Sequence, residues 1–90
     1  MLLETPKEMA AGAAERFRDI RRAKKITLKA LSEKSGVPYS TIRRFESTGE
    51  ISFLSLVKIV SAAGEDDQIT GLFTDVVPSS IEEVIRGNRR

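Results

Sequence analysis

The sequence contains no cysteine and no histidine. Without cysteine there are no disulfides and no thiol nucleophiles, and without either residue nearly all transition-metal sites and all imidazole bases are excluded. Carboxylates and serines remain, but no spacing assembles them into a recognisable catalytic site. We therefore expect neither enzymatic activity nor a metal or cofactor.

Long apolar runs are also missing. The most apolar stretch, residues 53–63, is interrupted by Lys58 and is far shorter than the roughly 20 residues that a membrane-spanning helix needs. The opening residues Met1, Leu2 and Leu3 are followed at once by Glu4, which is not the pattern of a signal peptide. These features predict a cytoplasmic protein with no membrane partner.

What the chain does have is an uneven distribution of charge. Residues 1–45 carry 11 Lys/Arg and 5 Asp/Glu, a net +6, whereas residues 46–90 carry 4 and 8, a net −4, which together give the overall +2. The basic half can face a polyanion while the acidic half is offered to another protein. Two ordinarily solvated surfaces are the alternative. A chain of 90 residues buries a limited core, so oligomerisation is also expected.

The first helix is marked by a capping box. Thr5 can cap it, Pro6 suits its first position, and Glu8 follows three residues after the cap. The helix is predicted over 6–25, with a break near Gly12 left open.

Two short helices joined by a glycine turn come next. Thr27 caps the second helix, Gly36 ends it in the left-handed conformation, and Pro38 falls in the first turn of the third. Ser52 caps a fourth helix that ends at Gly64. The side chains predicted to face the core are Leu31, Val37, Ile42 and Phe45 in the second and third helices, and Phe53, Leu56, Val57, Val60 and Ala63 in the fourth.

The crossing of the second and third helices requires a small residue, because their backbones approach closely. Ser32, four residues before Gly36, stands at that place. Its hydroxyl is predicted to bond a carbonyl one turn earlier. A fifth helical turn is predicted from 65–67 through Phe73. A last helix over 80–86 carries an apolar stripe for dimerisation or for completing the monomer's core.

This constellation resembles the Cro/repressor-type, or XRE, family of helix-turn-helix regulators over residues 16–63. The residues that carry the resemblance are Arg21, Thr27, Leu31, Ser32, Gly36, Val37, Ile42 and Glu46. It implies a compact all-α, lambda-repressor-like domain of five to six helices that binds a double-stranded DNA operator, as a homodimer. The DNA-binding core is expected at 16–64, after an N-terminal extension over 1–15 and before a candidate dimer or partner interface over 65–90.

The resemblance also assigns residues. In the family the arginine matching Arg21 pairs with the glutamate matching Glu46; if that pair is buried, losing one partner should cost about 3–5 kcal/mol. The implied base-reading residues are Tyr39, Ser40 and Arg44. The implied phosphate contacts are Lys24, Lys25, Thr27, Lys29, Thr41 and Arg43. The alternatives are solvated side chains throughout and, for Tyr39, packing back over Pro38.

Two departures from the family pattern predict weak DNA binding by a single copy. Leu28 replaces a usual glutamine, and the acidic Glu50 stands in a loop where a basic residue is usual. That loop, residues 45–52, looks like the small regulators that accompany HipA-type kinase toxins. An autorepressing antitoxin with a HipA-like kinase partner is therefore one hypothesis. A stand-alone XRE-type repressor and a protein-interaction module with the same fold are the others.

Overall fold

The computed structural model describes residues 3–75 of the chain. In this range it has no strand and consists of five helices: α1 (Pro6–Ala23), α2 (Leu28–Ser35), α3 (Tyr39–Thr48), α4 (Phe53–Ala62) and α5 (Asp66–Thr70). The predicted all-α fold is confirmed. The helix predicted over 80–86 lies outside the described residues.

The capping box predicted for α1 is formed. Thr5 Oγ1 accepts a hydrogen bond from the Glu8 backbone N–H at 3.1 Å, and Glu8 Oε1 accepts one from the Thr5 N–H at 2.8 Å. The Thr5 N–H, followed by its hydroxyl, holds the pKa of the Glu8 carboxyl below its ordinary value. α1 runs through Gly12 without a break and ends at Ala23, two residues earlier than predicted. It ends there because Lys25 has a left-handed φ of 59°, which no α-helix continues.

The turn between α2 and α3 follows the prediction in outline. Thr27 Oγ1 accepts from the Ala30 N–H at 3.0 Å, and Gly36 ends α2 with a φ of 78°. Pro38, however, is not in the first turn of α3. It is the N-cap residue, because its backbone is extended (φ −56°, ψ 142°) and the helix starts only at Tyr39.

The predicted partner of Ser32 is wrong. Ser32 Oγ donates to the carbonyl of Val37 at 2.6 Å, across the turn, instead of to a carbonyl one turn earlier. The left-handed Gly36 reverses the chain and brings the Val37 carbonyl back over α2. The small residue at the crossing therefore fastens the turn as well as allowing the close approach.

The core lies among α1, α2, α3 and α4. Its buried members are Ala14, Phe17, Leu31, Val37, Ile42, Phe45, Ile59, Val60 and Ala63. All four apolar residues predicted for the second and third helices are buried. The rings of Phe17 and Phe45 pack at a centroid distance of 5.8 Å and an angle of 58°, so α1 and α3 share an aromatic contact.

The prediction for α4 is wrong at its first residue, whereas Leu56 is half-buried and packs against the core as predicted. Val60 and Ala63 are buried, and Ile59 is the most deeply buried residue of the helix. Phe53, predicted to face inward, is 58% exposed. It is the first residue after the Ser52 cap, so it projects from the end of the helix beyond the core.

α5 is shorter than predicted and ends at Thr70. Phe73, predicted as its last residue, lies beyond it with a left-handed φ of 62° and is 91% exposed.

The loop between α3 and α4 lies tightly against α1. Gly49 ends α3 with a φ of 84°, and a Cβ placed there would come within 2.7 Å of the Ala10 carbonyl carbon and 2.8 Å of the Ala11 nitrogen. Only glycine fits both the conformation and the space. The end of α3 is therefore fixed against α1.

Candidate nucleic-acid interface

One side of α3 is buried and the other faces solvent. Ile42 and Phe45 point into the core, whereas four polar side chains are exposed: Tyr39, Ser40, Arg43 and Arg44. This exposed side contains all three residues that sequence reasoning assigned to base reading. Tyr39 is 46% exposed, so its ring is neither buried over Pro38 nor fully free.

A bidentate ion pair attaches α3 to α1. Arg21 Nε donates to Glu46 Oε2 at 2.7 Å and Arg21 Nη2 donates to Glu46 Oε1 at 2.9 Å. The third donor, Arg21 Nη1, bonds the carbonyl of Ile26 at 2.8 Å. Because the two side chains are only 9% and 6% exposed, the pair is shielded from salt and water. It fixes both the orientation of α3 and the start of the loop that leads to α2.

Arg44 is not a free cation. Its Nη2 donates to Glu50 Oε1 at 2.6 Å, in an exposed ion pair between α3 and the loop that follows it. The sequence indicated Glu50 as an acid in an unusual place but not this pairing. The sequence feature that could have indicated the pair is the separation of six residues between Arg44 and Glu50, across the chain reversal at Thr48 and Gly49.

A polar recess of about 380 Å³ opens beside this pair, between α3 and the N-terminus of α4. It is lined by Thr41, Arg44, Glu50, Ile51, Ser52 and Ser55. Ser52 caps α4, its Oγ accepting from the Ser55 N–H at 3.1 Å. Hydroxyls, a guanidinium and a helix N-terminus are anion-binding groups, and Glu50 is the one lining group that opposes an anion.

The Lys24 ammonium is bound by two groups of the chain itself. Its Nζ donates to the carbonyl of Ala63 at 2.7 Å and lies 2.6 Å from Glu65 Oε2. The lysine therefore caps the C-terminus of α4, where a cation is favoured. The Lys24 ammonium, followed by the amide of Gln68, lowers the pKa of the Glu65 carboxyl.

The other implied phosphate contacts lie around the starts of α2 and α3. Lys25, Thr27 and Lys29 are exposed at the entry to α2, and Arg43 is exposed on α3, whereas Thr41 is half-buried in the recess. Lys25, Lys29 and Arg43 form no ion pair within residues 3–75.

A second surface feature is apolar, and Phe45 of α3 is among its lining residues. An apolar groove of about 480 Å³ runs between α1, α4 and α5, with Phe17, Ile20, Leu56, Ile69 and Leu72 among its walls. Exposed Phe53 also lines it. In residues 3–75 no group of acidic side chains is arranged to hold a metal ion, and no helix there is long and apolar enough to cross a membrane.

Two short helices at a glycine turn, the second with an exposed polar side and a buried attachment to α1, define a helix-turn-helix protein. Comparison with known families agrees: residues 17–67, more than half of the chain, match the helix-turn-helix family. The chain belongs to this family and is a DNA-binding transcriptional regulator of the Cro/repressor, or XRE, type. No curated protein and no solved structure matches it.

Proposed function

We propose that α3 enters the major groove of an operator and reads base edges with Tyr39, Ser40 and Arg44. The observation that carries this proposal is the exposed polar side of α3, presented by a helix whose other side is locked to α1. In helix-turn-helix proteins the N-terminal residues of the second helix contact bases. Arginine offers guanine O6 and N7 two parallel hydrogen bonds, which makes Arg44 the main discriminating residue.

The proposed phosphate contacts are Lys25, Thr27, Lys29 and Arg43. Arg43 is next to Arg44 on α3, and the other three are exposed at the entry to α2. Contacts of this kind set the register of a protein on DNA. Thr41 is left out, because it lines the recess beside Glu50, whose carboxylate opposes a phosphate. Lys24 is left out, because its ammonium would have to leave both the Ala63 carbonyl and the Glu65 carboxylate to reach a phosphate.

Two arginines next to each other on α3 give a direct test. Arg44→Ala should relax the preference at one base position by about 1–3 kcal/mol. Arg43→Ala should weaken binding to all sequences alike and reduce the slope of log K against log salt by about one. Binding-site selection followed by titration at several salt concentrations measures both effects. Lys58→Ala, an exposed cation of α4 outside the proposed contacts, is the matched control. Unchanged binding in both arginine variants would refute the assignment of α3.

We also propose that the regulator acts as a homodimer, with residues 16–64 as its DNA-binding core and 65–90 as its interface. A recognition helix as short as α3 covers few base pairs, and two-fold proteins read two half-sites. Leu72 (40% exposed) and Phe73 (91% exposed) are apolar side chains on the described part of that region. A second copy that covers them removes apolar surface from water.

A narrower proposal is that this regulator is the autorepressing antitoxin of a HipA-like kinase toxin. It is supported by the likeness of residues 45–52 to the small regulators of such systems, and by the acidic second half of the chain. Co-expression with the product of the neighbouring reading frame, followed by co-purification and a kinase assay, tests it. A neighbouring gene that encodes no kinase would favour the stand-alone repressor.

A further inference from the structure

The ion pair of Arg44 and Glu50 has no evident structural purpose. The two side chains are 68% and 57% exposed, and exposed ion pairs contribute little to stability. Yet the pair involves the main reading residue of the proposed interface. We therefore expect the main effect of the Arg44–Glu50 pair to be on DNA binding.

The backbone that carries Glu50 is held in place. Thr48 Oγ1 donates to the Arg44 carbonyl at 2.7 Å and accepts from the Glu50 N–H at 3.1 Å. Gly49, between them, lies against the backbone of Ala10. The tight loop that carries Glu50 is thus held to the same turn of α3 that bears Arg44. The contact between carboxylate and guanidinium therefore costs little conformational entropy.

Glu50 occupies only part of the guanidinium. Arginine carries five N–H donors, and the pair uses one hydrogen bond, from Nη2. Guanine recognition requires two donors, for O6 and N7. Arg44 can therefore bind Glu50 and a guanine at the same time, with its guanidinium held by the first while it reads the second.

Glu50 has the opposite effect on the binding of a phosphate in the recess between α3 and α4. Without Glu50, the recess of Thr41, Arg44 and the N-terminus of α4 would combine a cation, hydroxyls and helix N–H groups. With Glu50 in it, a phosphate entering the recess approaches a like charge across a few ångströms. The same carboxylate that leaves room for a base opposes the DNA backbone.

We propose that Glu50 is a positioning residue that makes Arg44 a guanine reader and prevents it from acting as a phosphate-binding cation. It holds the guanidinium on the reading side of α3 and repels phosphate from the recess between α3 and α4. This inference rests on the proposed reading role of Arg44, to which it adds a determinant of specificity. Weak binding to random DNA is the accompanying property.

The experiment compares Glu50→Gln with Glu15→Gln, which makes the same charge change at an exposed position of α1, outside the proposed DNA contacts and the proposed dimer interface. Glu50→Gln should raise affinity for random duplex DNA up to about tenfold at 0.1 M salt and steepen the salt slope by about one, as for one added phosphate contact. It should lower discrimination for guanine at the Arg44 position by about fivefold or more. Titrations of selected, single-mismatch and random duplexes give all three values.

The same titrations in an Arg44→Ala background separate the inference from the proposed function. If Glu50 acts through Arg44, Glu50→Gln changes guanine discrimination only when Arg44 is present. Equal effects of Glu50→Gln and Glu15→Gln would overturn the inference, even if Arg44→Ala still abolished the base preference. If Arg44→Ala itself left that preference intact, the proposed function would fail first.

Discussion

At the scale of single residues, the contact with the largest effect on stability is the buried pair of Arg21 and Glu46. Each charge has been taken out of water, and each is compensated by the other, with one further bond from Arg21 to the Ile26 carbonyl. Such pairs add little over an apolar substitute of the same shape, but breaking one strands the charge that remains.

We therefore expect Glu46→Gln to lower the free energy of unfolding by about 3–5 kcal/mol, measured by urea denaturation. The double variant Arg21→Met/Glu46→Leu should recover most of that loss, since neither charge is then buried. Arg22→Met, an exposed cation next to Arg21, is the control and should change stability by less than about 0.5 kcal/mol. A single variant as stable as the parent would show that the pair is not buried in solution.

The buried ion pair was predicted from the sequence, whereas the exposed ion pair and the contacts of Lys24 were not. The pairing of Arg21 with Glu46 was predicted from the family resemblance. A buried charge has few places where it can be compensated, so the fold constrains such a pairing strongly. The pairing of Arg44 with Glu50 was not anticipated, since long exposed side chains have many rotamers of similar energy. Lys24 was predicted to contact a phosphate because its charge is evident from the sequence. The Ala63 carbonyl that it caps lies 39 residues further along the chain, so no local pattern indicates that contact.

At the scale of elements, the two left-handed glycines that end α2 and α3 have different surroundings. A Cβ at Gly36 would meet nothing within 4 Å, whereas one at Gly49 would collide with the backbone of α1. Gly36→Ala should therefore cost only the left-handed strain, about 1 kcal/mol. Gly49→Ala should cost about 3 kcal/mol, because strain is joined by displacement of the loop.

Chemical denaturation of the two variants side by side measures this difference, and each is the other's control. Equal losses would mean that the loop does not rest on α1. The sequence predicted that Gly36 ends α2, but it did not predict the contact of Gly49 with α1. The close approach at Gly49 depends on tertiary packing that no local pattern contains.

The C-terminus of α4 is another junction of elements, held by Lys24 from α1 and by Glu65. Because the folded pKa of Glu65 is lowered, its contribution is fully present above the unfolded value near 4.5 and is lost as the pH falls through the folded value. Glu65→Gln should thus lower Tm at pH 7 relative to the parent, and the difference should shrink as the pH falls below about 4.5. Thermal unfolding between pH 7 and pH 3 tests this.

Lys24→Gln removes the main cause of that lowered pKa, so it should weaken the same pH dependence, and the double variant should add little to either single one. A difference between Glu65→Gln and the parent that stays constant down to pH 3 would contradict the linkage.

At the scale of the whole molecule, the five helices of residues 3–75, the caps of α1, α2 and α4 and most of the core followed from the sequence, because period and capping are local signals. The exceptions lie at helix ends, where Phe53 and Phe73 face outward. Phe73 combines exposure with a left-handed backbone, which is unfavourable for an aromatic residue in an isolated chain. The proposed dimer gives this residue a partner surface.

Phe73→Asn should therefore weaken dimerisation by roughly tenfold or more, the equivalent of about 1.5–3 kcal/mol of lost aromatic burial. Asparagine tolerates the left-handed conformation, so the monomer should not lose stability. Sedimentation equilibrium measures the first effect and thermal unfolding the second, with Leu54→Asn, at an exposed apolar residue outside the proposed interface, as the control. A parent chain that stays monomeric across the micromolar range would contradict the dimer.

The attachment of α3 at its C-terminal end, by Glu46 to Arg21 and by Gly49 to the backbone of Ala10, has a mechanical consequence. α3 cannot tilt or slide without moving α1 as well. In the proposed homodimer, when half-sites are spaced unfavourably, the adjustment must then come from bending of the duplex or from the joint between the two copies. Operators whose central steps are easily deformed should be favoured even though no side chain touches those steps.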